Sequence, residues 1–192
     1  MTALAWACQQ WTEQDAIMVR LFSHGREAFF DDMDVSRTVG AFGTDFPVAI
    51  SLTGTATIET ALQHVKTQLQ SIPRHGVGYG ILRTYGQSPD AEVLRNLPGP
   101  EIVVNYIGSN FSDPSQPTFQ VQGPLSGHYR DSQSDRTYTF QVTGRVTADQ
   151  LIMQWDYSEN LHARETVERL AQATMDVFTF LIASCERYHK KK

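Results

Sequence analysis

The chain is poor in cysteine, in lysine and in long apolar runs, and each shortage closes off a class of reading. Only two cysteines, Cys8 and Cys185, occur in 192 residues. They stand at opposite ends with no pairing pattern, so a disulfide-stapled secreted domain is excluded. Each falls on the apolar face of a helical pattern, and both read as buried free thiols of a reducing, cytoplasmic setting. No CxxC, HExxH or His/Cys cluster has metal-ligand spacing, so no metal is expected. Lysine is confined to Lys66 and the run Lys190, Lys191 and Lys192, and residues 189–192 read as a short solvated basic tail. The net charge is −5, without the basic footprint of a nucleic-acid binder. No stretch reaches the ~18 apolar residues of a membrane span. The longest candidate, Val177 to Ala183, carries Thr179 inside an amphipathic pattern. Met1 to Trp11 lacks the basic start and clean apolar run of a signal peptide. Neither nucleic acid nor membrane is therefore expected as a partner.

What is present suffices for one packed domain. Hydrophobic residues make up 41% and aromatics 10%, which excludes disorder as a description of the whole chain. Leu4, Ala7, Cys8 and Trp11 predict a helix over 2–12. Ala16 to Phe22 reads as a strand with Ile17, Val19 and Leu21 on one face. Phe46 to Leu52 reads as a second strand. Thr55 or Thr57 caps a helix running to Ile72, with Ile58, Leu62, Val65, Leu69 and Ile72 on its apolar face, and Pro73 ends it. Gly76, Gly78 and Gly80 break regular structure, as turns or close approaches, before a short helix around Ile81 to Tyr85. A polar connection with Pro89, Pro98 and Pro100 leads to a β-prone strand at Ile102 to Tyr106. Asn110 to Pro117 is a loop. Two alternating strands follow, through Tyr138, Phe140 and Val142 and through Leu151, Met153, Trp155 and Tyr157, linked by Gly144 to Gln150. The last helix, about Ala163 to Tyr188, carries one core stripe: Val167, Leu170, Ala171, Met175, Phe178, Leu181, Ile182 and Cys185. The fold class is α/β, with a mixed, mostly antiparallel sheet and helices packed on it.

Four short stretches carry more than periodicity. They are His24-Gly25-Arg26-Glu27; Asp34-Val35-Ser36-Arg37-Thr38-Val39-Gly40 followed by Phe46-Pro47-Val48; Pro73, then Gly76-Val77-Gly78-Tyr79-Gly80-Ile81-Leu82-Arg83; and Asn105-Tyr106-Ile107-Gly108. In this order they resemble the C-terminal half of nonribosomal peptide synthetase epimerization domains, whose consensus stretches are EGHGRE, DxSRTVGWFT, PxxGxGYGxLR and NYLGQ. Those domains belong to the condensation superfamily with a chloramphenicol-acetyltransferase-like fold. The resemblance spans nearly the whole chain and makes 1–188 one such lobe. Gly76, Gly78 and Gly80 do not have P-loop spacing, and no GKS or GKT follows.

The resemblance implies two similar lobes facing across a tunnel that receives the phosphopantetheine arm of a peptidyl carrier protein. No cofactor is bound directly. The amino-acyl or peptidyl thioester loses and regains its Cα proton there, which needs acid/base groups within hydrogen-bond reach. The family places a histidine of HHxxxDG on the N-terminal lobe and the first glutamate of EGHGRE on the C-terminal lobe. This chain has no adjacent histidines, and Phe22 stands at the glutamate position. Phenylalanine accepts no proton. The tryptophan of the second stretch is replaced by Ala41.

Tyr106 occupies the family's active-site tyrosine position, where a phenol orients or protonates an enolate-like thioester oxygen. A half-buried strand tyrosine is the plainer alternative. His24 is a candidate base, or packs structurally behind the glutamate position. Phe22, Arg37, Thr38 and Asn105 are expected along the tunnel, although Arg37 suits a buried structural ion pair equally well. Glu27 suits a salt bridge to Arg26 or Arg37. His64, His75, His128, His162 and His189 read as scattered and exposed.

Three functions stay open at this level. The chain forms one wall of an epimerization site and is inactive without an N-terminal condensation lobe. Or it is a docking module that holds a partner synthetase or self-associates through its exposed lobe face. Or it is an acyltransferase of the same fold that assembles its site between subunits, a reading weakened by the absence of any HxxxD.

Overall fold

The computed structural model describes residues 1–26, 32–109, 136–147 and 150–189. In chain order these form α1 (Thr2–Thr12), β1 (Ala16–Ser23), β2 (Thr44–Ser51), α2 (Ile58–Gln70), α3 (Gly78–Tyr85), α4 (Pro89–Asn96), β3 (Ile102–Ser109), β4 (Phe140–Thr147), β5 (Gln150–Tyr157) and α5 (Arg164–His189). Glu27, the Asn110–Pro117 loop, His128 and the Lys190–Lys192 run lie outside the described residues.

The strands make one sheet in the order β2-β1-β3-β4-β5. β1 with β2 and β4 with β5 are antiparallel along their full lengths. The shorter ladders of β1 with β3 and of β3 with β4 are parallel. The sheet is therefore mixed, and antiparallel pairing extends furthest, as the sequence predicts.

Strand alternation sends one set of side chains to the helices. Val19, Phe46, Val48 and Ile50 pack with Ala5 of α1 and with Ala61 and Val65 of α2. A second cluster, Leu4, Ala7, Cys8 and Leu170, joins α1 to α5 against Trp155. Each such Val, Leu or Ile contributes about 1.5–3 kcal/mol when fully buried. Phe140 closes the end of this layer. It stacks on His162 at 4.6 Å and meets Trp11 and Trp155 edge-on. His162 is thus half-buried, not exposed as its isolation in sequence suggests.

The boundaries depart from expectation where local chemistry decides. Thr57, not Thr55, caps α2, through a reciprocal box with Thr60, and the helix ends at Gln70 rather than Ile72. Gly78 and Gly80 lie inside α3 instead of breaking structure. Gly76 is the close approach: its φ is +80°, and an added Cβ would fall 2.2 Å from the Phe46 ring. The polar connection after Tyr85 contains α4, with Ser88 capping the Ala91 N–H and Pro89 in the first turn, where proline loses no bond. β4 continues from Gly144 to Thr147, so most of the expected link there is strand.

Cys8 is buried but Cys185 is exposed. The inward face of α5 follows Val167, Leu170, Thr174 and Leu181. Thr174 fits because its hydroxyl donates to the Leu170 carbonyl at 2.8 Å. Ile182, one position past Leu181, and Cys185, in the last turns of the helix, are exposed.

Candidate functional site

Because β1 and β3 are parallel, their C-terminal ends reach the same edge of the sheet. Leu21 pairs with Val104, which brings Phe22 level with Asn105. Phe22 is 49% exposed and pairs across β2 with Asp45. That carboxylate is engaged by the Arg20 guanidinium, which also lies 5.3 Å from the Tyr138 ring centroid. The carboxylate facing Phe22 is therefore held in an ion pair.

Beyond β1 the chain turns at Gly25 (φ +65°), where an added Cβ would fall 1.7 Å from the Phe42 carbonyl oxygen. This turn aims Arg26 into the following loop. Its Nη1 donates to the carbonyls of Val35 (2.6 Å) and Thr38 (2.9 Å), and its Nη2 to that of Gly40 (3.1 Å). Its guanidinium carbon lies 4.4 Å from the Phe42 ring centroid. Thr38 N–H donates to Val35 O, and Ser36 N–H to Asp34 Oδ1. The Ser36 backbone and hydroxyl hold the Asp34 carboxyl below its ordinary value.

Arg37 and Thr38 ride this loop with exposed side chains. The expectation of a buried ion pair at Arg37 is corrected: the part-buried arginine that makes an ion pair is Arg20, with Asp45. His24 is exposed, and its Nδ1 accepts the Arg26 backbone N–H at 3.0 Å. That nitrogen's lone pair is occupied in the turn.

Asn105 and Tyr106 are adjacent, so the strand places them on opposite faces. Tyr106 shares the face of Val104 but lies past the helices, 64% exposed, and is not half-buried. Its ring covers Gly144, whose Cβ position lies 3.3 Å from Tyr106 Cδ2. The ladder shifts between Tyr106 and Gly108, and Gly108 has φ +84°. Such bulges re-aim side chains beside sites.

Asn105 faces the other way, into a cavity of about 520 Å³ shared with Ile107, Arg136, Thr143, Arg145 and Asp156. Phe22, Arg37, Thr38, His24 and Tyr106 do not line it. The candidates therefore divide into an exposed rim at the ends of β1 and β3 and a polar cavity along β3–β5. Arg26, Arg136 and Arg145 were not legible as site residues. For Arg26 the available signal was its place directly after a glycine in the His24-Gly25-Arg26-Glu27 stretch. Among the described residues no group of His, Cys, Asp and Glu is arranged to hold a metal, and no helix is long and apolar enough to cross a membrane.

A family model described as Condensation domain matches residues 1–191. One of the proteins that make up the linear gramicidin synthase of Brevibacillus parabrevis is 36% identical over 185 residues, which are 95% of this chain and 2% of that protein. The chondramide synthase of Chondromyces crocatus is 36% identical over 186 residues, 96% of this chain and 5% of that protein. Among solved structures, the epimerization domain from the third module of tyrocidine synthetase B superposes with a TM-score of 0.85 at 28% identity. The match covers 96% of this chain and 41% of that one. The starter condensation domain of rhizomide synthetase shares the fold, with a TM-score of 0.55 at 14% identity over 95% of this chain and 41% of that one.

Proposed function

The chain belongs to the condensation-domain family, and on that premise we propose that it is the C-terminal lobe of an epimerization-type domain of a nonribosomal peptide synthetase. The observation that carries this is the superposition on 41% of a solved epimerization domain while almost all of this chain is used. The four motif stretches in family order support the same reading. The partners are then an N-terminal condensation lobe and a peptidyl carrier protein, and the substrate is the thioester on its phosphopantetheine arm.

The chemistry of this lobe alone is incomplete. Inverting Cα requires a proton to leave on one face and return on the other. Tyr106 offers an exposed phenol that donates to an enolate-like thioester oxygen. Phe22 offers no acid or base, and Asp45 opposite it is held by Arg20. The lobe by itself forms one wall of the site and does not turn over.

The test is Cα deuterium exchange on an aminoacyl carrier protein. The chain alone is expected to give background exchange, and exchange above background refutes the inactive-lobe reading. With an N-terminal condensation lobe added, Phe22→Glu should raise the rate. No increase in a folded Phe22→Glu protein would remove Phe22 from the acid/base position.

A non-catalytic docking role is favoured by one observation. α3 and α4 expose Ile81, Leu82, Tyr85 and Val93, and Leu97 is exposed directly after α4, so large apolar side chains face solvent along two consecutive helices. A concentration series in sedimentation velocity tests it. Self-association or binding of the N-terminal lobe supports docking, and a strictly monomeric chain that ignores that lobe refutes it.

A further inference from the structure

Gly144 stands in the interior of β4, between Tyr106 of β3 and Met153 of β5. Glycine weakens a strand interior relative to alanine. The backbone does not ask for it here, because Gly144 lies outside the left-handed region. What the missing side chain provides is space. Chain neighbours apart, the only heavy atom of the described residues within 4 Å of its Cβ position is Tyr106 Cδ2, at 3.3 Å. The row before it, Val104 opposite Val142, packs into the core. Tyr106 itself is largely exposed, so core packing does not account for the empty position. After Tyr106 the ladder slips, and Gly108 takes φ +84°. Tyr106 is thus the last side chain of β3 on its face before the slip, and the one that uses the space at Gly144.

We propose that Gly144 is a positioning residue: its bare backbone seats the Tyr106 ring and so fixes where the phenol is presented. An exposed tyrosine at a strand end otherwise exchanges among staggered rotamers. Contact with the strand beside it favours one of them, as aromatic side chains do over cross-strand glycines. A methyl group on residue 144 would take that space, and the ring would have to give by a few tenths of an ångström. A branched side chain displaces it further. Hydrogen bonds weaken steeply as distance and angle depart from their optimum. A displaced phenol therefore donates poorly to a carbonyl oxygen that the rest of the site holds in place. This assignment rests on the thioester-site reading above and deepens it: β4, through Gly144, sets the position of the Tyr106 hydroxyl.

Aromatic NMR of the full chain tests the seat directly. A nuclear Overhauser contact between the Gly144 α-protons and the Tyr106 Hδ protons is expected in the wild-type chain. Gly144→Ala should shift the Tyr106 ring resonances, and Gly144→Val should remove the contact. Absence of the contact in the wild-type chain overturns the seat, as do unchanged ring resonances in the folded variants. Titration with an aminoacyl pantetheine amide, a stable stand-in for the thioester, tests the positioning. Tyr106→Phe should weaken binding about fivefold. Gly144→Val should weaken it by a similar factor when Tyr106 is present and leave it unchanged in Tyr106→Phe, a coupling that a merely structural role would not produce. Gly144→Ala takes its place if Gly144→Val does not fold. Where Tyr106→Phe weakens binding, equal weakening by Gly144→Val in both backgrounds, or none in either, overturns the positioning role. Binding that ignores Tyr106→Phe, or no binding at all, refutes the thioester reading instead, and the Overhauser result alone then decides the seat.

Discussion

Arg26→Ala should release the 35–42 loop while leaving the core intact. The side chain makes three hydrogen bonds to loop carbonyls and covers the Phe42 ring. A hydrogen bond to a charged group contributes about 1.5–3 kcal/mol in protected settings. The Thr38 and Gly40 contacts are exposed, so water replaces most of what they supply. The part-buried Val35 contact then dominates, and the net loss is about 2–3 kcal/mol of local stability. Each 1.4 kcal/mol is a factor of ten, so the Thr38 amide, bonded to Val35 O, should exchange roughly 30–150 times faster. The loop contributes nothing to either buried cluster. The global denaturation midpoint should therefore move little, and amides of β1 and β2 should keep their protection. Native-state hydrogen exchange measures both quantities in one sample. Unchanged exchange at Thr38 would refute the clamp, and a matching loss of protection at Val19 and Ile50 would show that Arg26 supports the whole domain instead.

The Cys8 thiol is pushed up to about 11 by burial, from 9.0. The folded chain thus holds its proton where the unfolded chain gives it up. The contribution is present below pH 9 and is lost as pH rises through 11, amounting to about 2–3 kcal/mol. A Cys8→Ala variant should lose that part of the alkaline decline in urea titrations, and an identical slope would refute the assignment. In the native protein a thiol reagent at pH 8 should modify exposed Cys185 and spare Cys8, as peptide mapping would show. Gly76→Ala combines a left-handed backbone with a Cβ 2.2 Å from the Phe46 ring, and should cost about 2–4 kcal/mol by denaturant unfolding. A loss under 1 kcal/mol would mean that Phe46 moves aside easily.

The fold was legible wherever local pattern and burial coincide. The apolar spacing of residues 2–12 predicts α1 to the residue, and the left-handed Glu13 closes it. α4 escaped because eight residues are too few for a periodic signal, and Pro89 read as connection although it opens the helix. The site was legible as an ordered set of stretches, and that order names the family. It does not say which side chains meet. Cys8 and Cys185 both sit on apolar-looking helix faces, yet only Cys8 finds a neighbouring element to bury it.

The amino-acid sequence alone determined the order of the elements other than α4, the mixed sheet, the strand faces of β1 and β2, and the family, since the patterns that carry them are local to the chain. Tertiary structure alone decided that Arg26 holds the loop that carries Arg37 and Thr38, that Asp45 is taken by Arg20, and that Arg145 stands beside Asn105. Those pairs lie from 9 to 40 positions apart in the chain. A contact across such a span depends on strand register and on which turn returns the chain, and no periodic pattern encodes either.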